Sequence, residues 1–261
     1  MSKSKAGDKS ASIDVVEFNT GTVDFCIVGN TPIILNRMSE KAKRELLMPK
    51  GRKTAADKAN SLKHNPFQEF RDAPYTNPDK NAETYIEHLA TSFKSAIRGA
   101  GVDVPGASKA QLGRLLWVGG ERVSLHGIPQ LFMSVTRSAD MNKTPDVRTR
   151  VIMKEWACRL SISFVQPMLT VKTVANLLAA GGLTQGVGDW RPEKGSGNYG
   201  QFRLVEANDQ DFKRLMKINY QQQFKAMQNP VPYDQETEEL LAWFDSEADR
   251  RGVKIVGGRE Q

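Results

Sequence analysis

Apolar and polar side chains alternate in three stretches of the chain, and each alternation predicts a strand with one face in a core. The first stretch, Val23 to Val28, runs through the turn Gly29-Asn30-Thr31-Pro32 into Ile33-Ile34-Leu35. The second is Leu131 to Arg137. The third is the cleanest, with Trp156, Cys158, Leu160, Ile162 and Phe164 at every second position. A longer period governs Thr84 to Gly99, where Tyr85, Ile86, Leu89, Ala90, Phe93, Ala96 and Ile97 recur at helical spacing and Gly99 stands at the expected C-terminal cap. A second helix is predicted from Val171 to Ala180, capped by Thr170 and stopped by Gly181-Gly182, with a closing strand from Tyr199 to Val205. Strands and helices in this order, joined by hairpin-length and helix-length connections, predict an α+β domain with a mainly antiparallel sheet. No segment repeats at a fixed period, which argues against solenoids and propellers.

The leader and the stretch after Leu35 are polar. Residues 1–12 read as a disordered leader rich in Lys, Ser and Gly, and residues 13–207 as the folded domain. Within that domain, residues 37–80 read as a basic insertion. Ser39 there can cap a short helix that Pro49 ends, and Pro66, Pro74 and Pro78 punctuate the rest of the insertion. Residues 138–150 read as a loop, and residues 208–261 as a helical C-terminal extension.

Charge sharpens this outline. The 261-residue chain carries a formal net charge of +7, and nine basic residues against three acidic ones fall between Arg37 and Lys63. The reverse holds from Asp234 to Asp249, where seven acidic residues occur with no Lys or Arg before Arg250. Such polarity suits either head-to-tail contact between copies or an acidic, solvated helix face. The two cysteines, Cys26 and Cys158, fall in alternating runs and read as buried thiols, and no zinc spacing is present. No apolar stretch suggests a signal peptide or membrane span, so a cytoplasmic protein without membrane contact is expected.

Seven glycines crowd the stretch Gly181 to Gly200, interleaved with Trp190, Arg191, Lys194 and Tyr199. Glycine allows close backbone approach to a ligand, while the cations and rings supply phosphate contacts and stacking surfaces. The stretch is neither a dinucleotide fingerprint nor a P-loop. A ligand-free hairpin loop is the plainer alternative. On the helix predicted from Thr84 to Gly99, Lys94 and Arg98 lie four apart and share one face, able to grip consecutive phosphates.

Gly197-Asn198-Tyr199-Gly200-Gln201-Phe202 resembles the Gly-x-Tyr/Phe-Gly-x-Phe ending of the glycine-rich loop in the RAMP superfamily of CRISPR effector proteins. Thr91-Ser92-Phe93-Lys94-Ser95-Ala96-Ile97-Arg98 resembles the segment that opens the first helix of the backbone subunits in those complexes, with Ser95 where the family has Gly. The resemblance spans residues 23–205 in order of elements. It implies a ferredoxin-like core related to RNA-recognition modules and a non-catalytic role on single-stranded RNA or DNA. It fits a CRISPR backbone subunit or a stand-alone relative of the kind a phage encodes to coat single strands. Either would assemble in many copies along the strand, as a homo-oligomer or filament. Candidate nucleic-acid contacts are then Lys50, Arg52 and Lys53 in the insertion, Lys94 and Arg98, Arg137, Lys143, Arg148 and Arg150 around the 138–150 loop, and Trp190, Arg191, Lys194 and Tyr199. The resemblance also singles out Asp140, since one branch of the family cleaves with an aspartate in such a loop.

No metal or cofactor is expected. Two other functions compete. One is a structural assembly subunit that uses the basic insertion and acidic tail on protein partners. The other is a metal-independent endoribonuclease of the RAMP type, with His64, His88 or His126 as general acid or base.

Overall fold

The computed structural model describes residues 17–38, 64–102, 108–137, 145–194 and 197–252, with the isolated positions 43, 46–48 and 106. The alternation read in the sequence places its apolar members on a shared face. Val23, Phe25 and Ile27 of β1 (Asn19–Gly29) point into the same core as Cys158, Leu160, Ile162 and Phe164, and the chain returns to its starting sheet at Phe202. The other strands are β2 (Ile33–Leu35), β3 (Tyr75–Thr76), β4 (Ile86–Leu89), β5 (Leu116–Val118), β6 (Arg122–Ser124), β7 (Pro129–Arg137), β8 (Pro145–Met153), β9 (Ala157–Gln166) and β10 (Phe202–Val205). The helices are α1 (Pro66–Asp72), α2 (Ala90–Ala100), α3 (Lys109–Leu115), α4 (Val171–Thr184), α5 (Gln210–Leu215), α6 (Tyr220–Gln228) and α7 (Gln235–Arg250).

The largest sheet has the order β10-β1-β9-β5, and every pairing in it is antiparallel. With α2 between β1 and β5 and α4 between β9 and β10, this is the βαββαβ arrangement of a ferredoxin-like core. Phe93, Ala96 and Ile97 of α2 and Val174, Leu177 and Leu178 of α4 bury their apolar stripes against it. A side chain such as Phe93, fully buried, contributes about 1.5–3 kcal/mol by leaving water. Two three-stranded sheets, β2-β8-β7 and β3-β4-β6, flank this core.

Several boundaries differ from the sequence expectation for physical reasons. Tyr85, Ile86 and Leu89 fit a helical period, but Ile86 to Leu89 is strand β4, paired with β3 and β6, and the helix starts at Ala90. Gly181 and Gly182 do not stop α4, which runs on to Thr184. A Cβ at Gly181 would come within 2.9 Å of the Ala96 carbonyl oxygen, and one at Gly182 would overlap that of Phe202. The pair therefore lets α4 lie close to α2 and β10. The closing strand starts at Phe202 rather than Tyr199.

Two stretches expected to stand apart join the core. After His64, α1 buries Phe67 and Phe70, so the latter part of the 37–80 stretch is core rather than insertion. Residues 145–150, expected as loop, are part of β8, paired along its length with β7. The C-terminal helices also join the main core. Gln223 of α6 is fully buried. Its Nε2 donates to the carbonyls of Leu125 (2.7 Å) and Gly127 (2.9 Å), while its Oε1 accepts from the Ile86 amide at 2.9 Å. Leu241 and Phe244 of α7 pack into the core as well. Cys158 is buried and Cys26 half-buried, both as free thiols, and burial pushes the Cys158 thiol well up. Among the described residues no helix is long and apolar enough to cross a membrane.

Candidate nucleic-acid interface

The α2 surface begins with an unguarded helix start. Leu89, at the N-cap, makes no side-chain capping bond, and the first turn carries no acidic residue. The Ala90 amide donates to the Glu121 carbonyl at 3.0 Å, and the positive end of the helix dipole is left for other anions. One turn on, the Lys94 ammonium sits 5.9 Å from the ring centroid of Trp117, which is 43% exposed. Burial alternates along β5, with Leu116 and Val118 inward and Trp117 outward. Arg98, one turn beyond Lys94, lies across Gly113 of α3, and its Nε is buried without a hydrogen-bond acceptor among the described residues. Near the start of α2, Tyr75 has the guanidinium of Arg37 at 5.5 Å and that of Arg122 at 5.2 Å. Arg122 also donates to Glu87 and to the Thr76 carbonyl, each at 3.3 Å. Cations paired with partly exposed rings in this way can hold phosphates and bases side by side.

The glycine-rich loop meets α2 on another side, where the Gln185 side chain packs over Gly99. Its cations and rings are engaged with the protein itself. Arg150 lies over the Trp190 ring at 4.9 Å and pairs with Asp189 at 2.9 Å, while Asn36 donates to the same carboxylate at 3.0 Å. Trp190 and Tyr199 pack with Phe132, Tyr233, Ile34 and Ile152 as a small apolar cluster under the loop. Arg191 pairs with Glu193 at 2.7 Å and donates to the Gly188 carbonyl at 2.9 Å. Trp190 itself adopts φ 51°, and Gly200 has φ 72° with its Cα pressed on Val187, so a Cβ there would overlap the Val187 carbonyl oxygen. Of the loop residues expected to touch nucleic acid, Lys194 is exposed in a single 3-10 turn, Pro192–Lys194.

Arg148 on β8 is 55% exposed and pairs with Asp146 at 3.1 Å. Arg150, two residues on, is buried by its pairing with Asp189. Burial pulls its guanidinium below the ordinary value, and Asp189 opposes the shift. The backbone of Arg137 ends β7. Lys50, Arg52, Lys53, Lys143 and Asp140 lie outside the described residues.

The three histidines differ in setting. His88 is buried with its Nε2 unpartnered among the described residues, and burial, reinforced by the Arg191 charge, pushes its imidazole down to about 4. His126 is buried and its Nδ1 bonds the Ile218 carbonyl at 2.9 Å. Burial lowers its pKa, and that hydrogen bond opposes the shift. His64 is held between Glu69 (2.6 Å) and Asp146 (2.9 Å). The Glu69 hydrogen bond raises its pKa against partial burial, with Asp146 adding to the rise. Among the described residues no cluster of three or more His, Cys, Asp or Glu side chains could hold a metal ion.

Trp117, Tyr75, Arg37 and Arg122 were missing from the sequence candidates. The signal for Trp117 was present: in Leu116-Trp117-Val118 a period of two with Leu and Val inward turns the tryptophan outward.

No family model matches the chain, and no curated protein matches it. Among solved structures it is similar to a chain in a cryo-EM structure of the Type III-B Cmr-beta bound to cognate target RNA. The two are 12% identical with a TM-score of 0.34, and the match covers 72% of this chain and 59% of that one. A similarity of this size fixes neither family nor activity.

Proposed function

We propose that the protein binds single-stranded nucleic acid without cleaving it, along the outer side of α2, and that it belongs with the RAMP-type proteins its two short motifs resemble. Lys94 and Arg98 take phosphates, Trp117 offers its face to a base, and Lys194 extends the path past the glycine-rich loop. The observation that carries this reading is the Lys94 ammonium seated on the exposed Trp117 ring beside the uncapped start of α2. Binding of this kind is sequence-tolerant and steeply salt-dependent. The non-catalytic part of the proposal draws on the settings of His88 and His126, both buried, and of His64, which is held between two carboxylates.

The test is fluorescence anisotropy of labelled single-stranded RNA, single-stranded DNA and duplex DNA at two salt concentrations. Wild-type protein is expected to bind a single strand in a salt-sensitive way, and Lys94→Ala/Arg98→Ala to bind it at least ten-fold more weakly. Failure to bind all three polymers at low salt, or wild-type affinity in the double variant, overturns the proposal.

A further inference from the structure

The chain enters α1 through a cap that fixes where His64 stands. Asn65 accepts the Gln68 amide at 3.2 Å, Pro66 occupies the first turn, and Phe67 and Phe70 anchor the helix in the core. His64, just before this cap, lies between two elements with 21% of its side chain exposed. Its Nδ1 meets Glu69 of α1 at 2.6 Å and its Nε2 meets Asp146 of β8 at 2.9 Å. A neutral imidazole carries one N–H and one lone pair. It can satisfy only one of these carboxylates, and an oxygen of the other would then face the lone pair at hydrogen-bond distance. Only the imidazolium, with two N–H donors, fits both contacts.

The neighbouring charges lead to the same state. Asp146 also pairs with Arg148 at 3.1 Å. Glu69 also accepts the Thr149 amide at 3.4 Å and lies in the field of Arg150, whose own partner is Asp189. From α7, Glu247 and Arg251 line the same groove of about 490 Å³ as His64 and Asp146, and Glu247 is already paired with Arg250 and Arg251. The two carboxylates that hold His64 are thus balanced by His64 and Arg148 only while the imidazole is charged. Asp146 sits at the turn end of the β7–β8 hairpin, where it faces Thr136 and where Pro145 faces Arg137.

We propose that His64 is a proton-operated clasp between α1 and the turn end of the β7–β8 hairpin, closed when the imidazole is charged and open when it is neutral. On opening, Nε2 gives its proton to water, the ring keeps the shorter bond from Nδ1–H to Glu69, and Asp146 is left to Arg148. His64, Pro66, Pro145 and Asp146 line the groove together, so their parting widens it on that side. The Glu69 hydrogen bond raises the imidazole pKa against partial burial, and Asp146 adds to the rise. A group raised on folding contributes stability below its unfolded value of about 6.5 and loses that contribution as the pH climbs through the folded value. The clasp is therefore closed in mildly acidic solution and opens on the alkaline side. Lys94, Arg98, Trp117 and Lys194 take no part, so the clasp and the binding reading stand or fall separately.

Two-bond proton–nitrogen spectra of protein carrying isotope-labelled histidine, recorded from about pH 5 to 9 around the ordinary imidazole value, read the ring directly. The three histidines separate, because burial pushes His88 down to about 4 and also lowers His126. One imidazole is expected to titrate above about 6.5 and to become the Nδ1–H tautomer. Hydrogen exchange, corrected for its intrinsic rate, should show the amides of residues 146–149 about ten-fold less protected on the alkaline side, the loss of one charge-assisted hydrogen bond. His64→Gln, which cannot titrate, should show no such step, and Asp146→Asn should move the ring's titration to lower pH. The wild-type spectra need no variant, so they decide the matter even if a substitution unfolds the chain. The proposal is overturned by the absence of an imidazole titrating above about 6.5, by a neutral ring protonated at Nε2, or by β8 protection that is constant with pH in wild type or changes equally in His64→Gln.

Discussion

Trp190 and Trp117 each stand beside a cation, Arg150 at 4.9 Å in one case and Lys94 at 5.9 Å in the other. The two pairs have opposite fates. Arg150 is buried and tied to Asp189, and the half-buried Trp190 packs on Phe132 and Tyr199. Lys94 is half-buried on an outward-facing ring with no acidic residue in the first turn of its helix. A sequence stretch that mixes glycines, rings and cations can therefore be a self-clasping loop, whereas a sparse strand carrying one tryptophan can present the open surface. What separates them is whether the fold supplies each cation with a carboxylate of its own.

The largest blow to this comparison would fall on the clasped side. Gly200→Ala forces an L side chain to φ 72° and into the Val187 carbonyl, at a cost of about 4 kcal/mol. Differential scanning calorimetry should show a midpoint lower by about 10 °C or more. An unchanged midpoint would mean the loop is not clasped.

A smaller effect comes from His88, buried next to Arg191 of the loop. Its pKa is near ~6.5 when unfolded and about 4 when folded. The unfolded chain thus takes up the proton first. The stability present above pH ~6.5 is lost as the pH falls and is gone below pH 4, a change on the order of 3 kcal/mol. Urea midpoints across this window should show the decline in wild type and a flatter profile in His88→Leu. An equal slope in both would remove His88 from the account.

The smallest effects give the sharpest contrast. Trp190→Ala should lower stability by about 2 kcal/mol and leave strand affinity unchanged under conditions where it is folded. Trp117→Ala should leave stability within about 0.5 kcal/mol and weaken binding about ten-fold. Urea titration and anisotropy read both variants, and a reversed pattern would exchange the roles assigned to the two tryptophans.

The sequence showed the core strands well, because alternation in Val23 to Val28 and in Trp156 to Phe164 survives any choice of partner. It placed α2 and α4 correctly in kind, and Thr170 does cap α4 by accepting the Thr173 amide at 3.2 Å. Tyr85, Ile86 and Leu89 fit the helical period, and only pairing with β3 and β6 decides for strand. The β8 strand was hidden because its buried Arg150 reads as a surface residue until Asp189, distant in sequence, neutralises it. The Lys94–Arg98 face was legible from spacing alone. Its ring was not, since Trp117 reaches Lys94 only once β5 takes its place at the edge of the sheet beside β9.

Gln223 bears on how the chain comes off the ribosome. Three backbone groups of the Ile86 and Leu125–Gly127 region are satisfied by an amide that emerges 137 positions after Ile86. Until α6 is made, those groups must stay wet or go unpaired in a closing interior. The Ile86 end of β4 and the Leu125–Gly127 segment after β6 are therefore completed only when α6 packs on them.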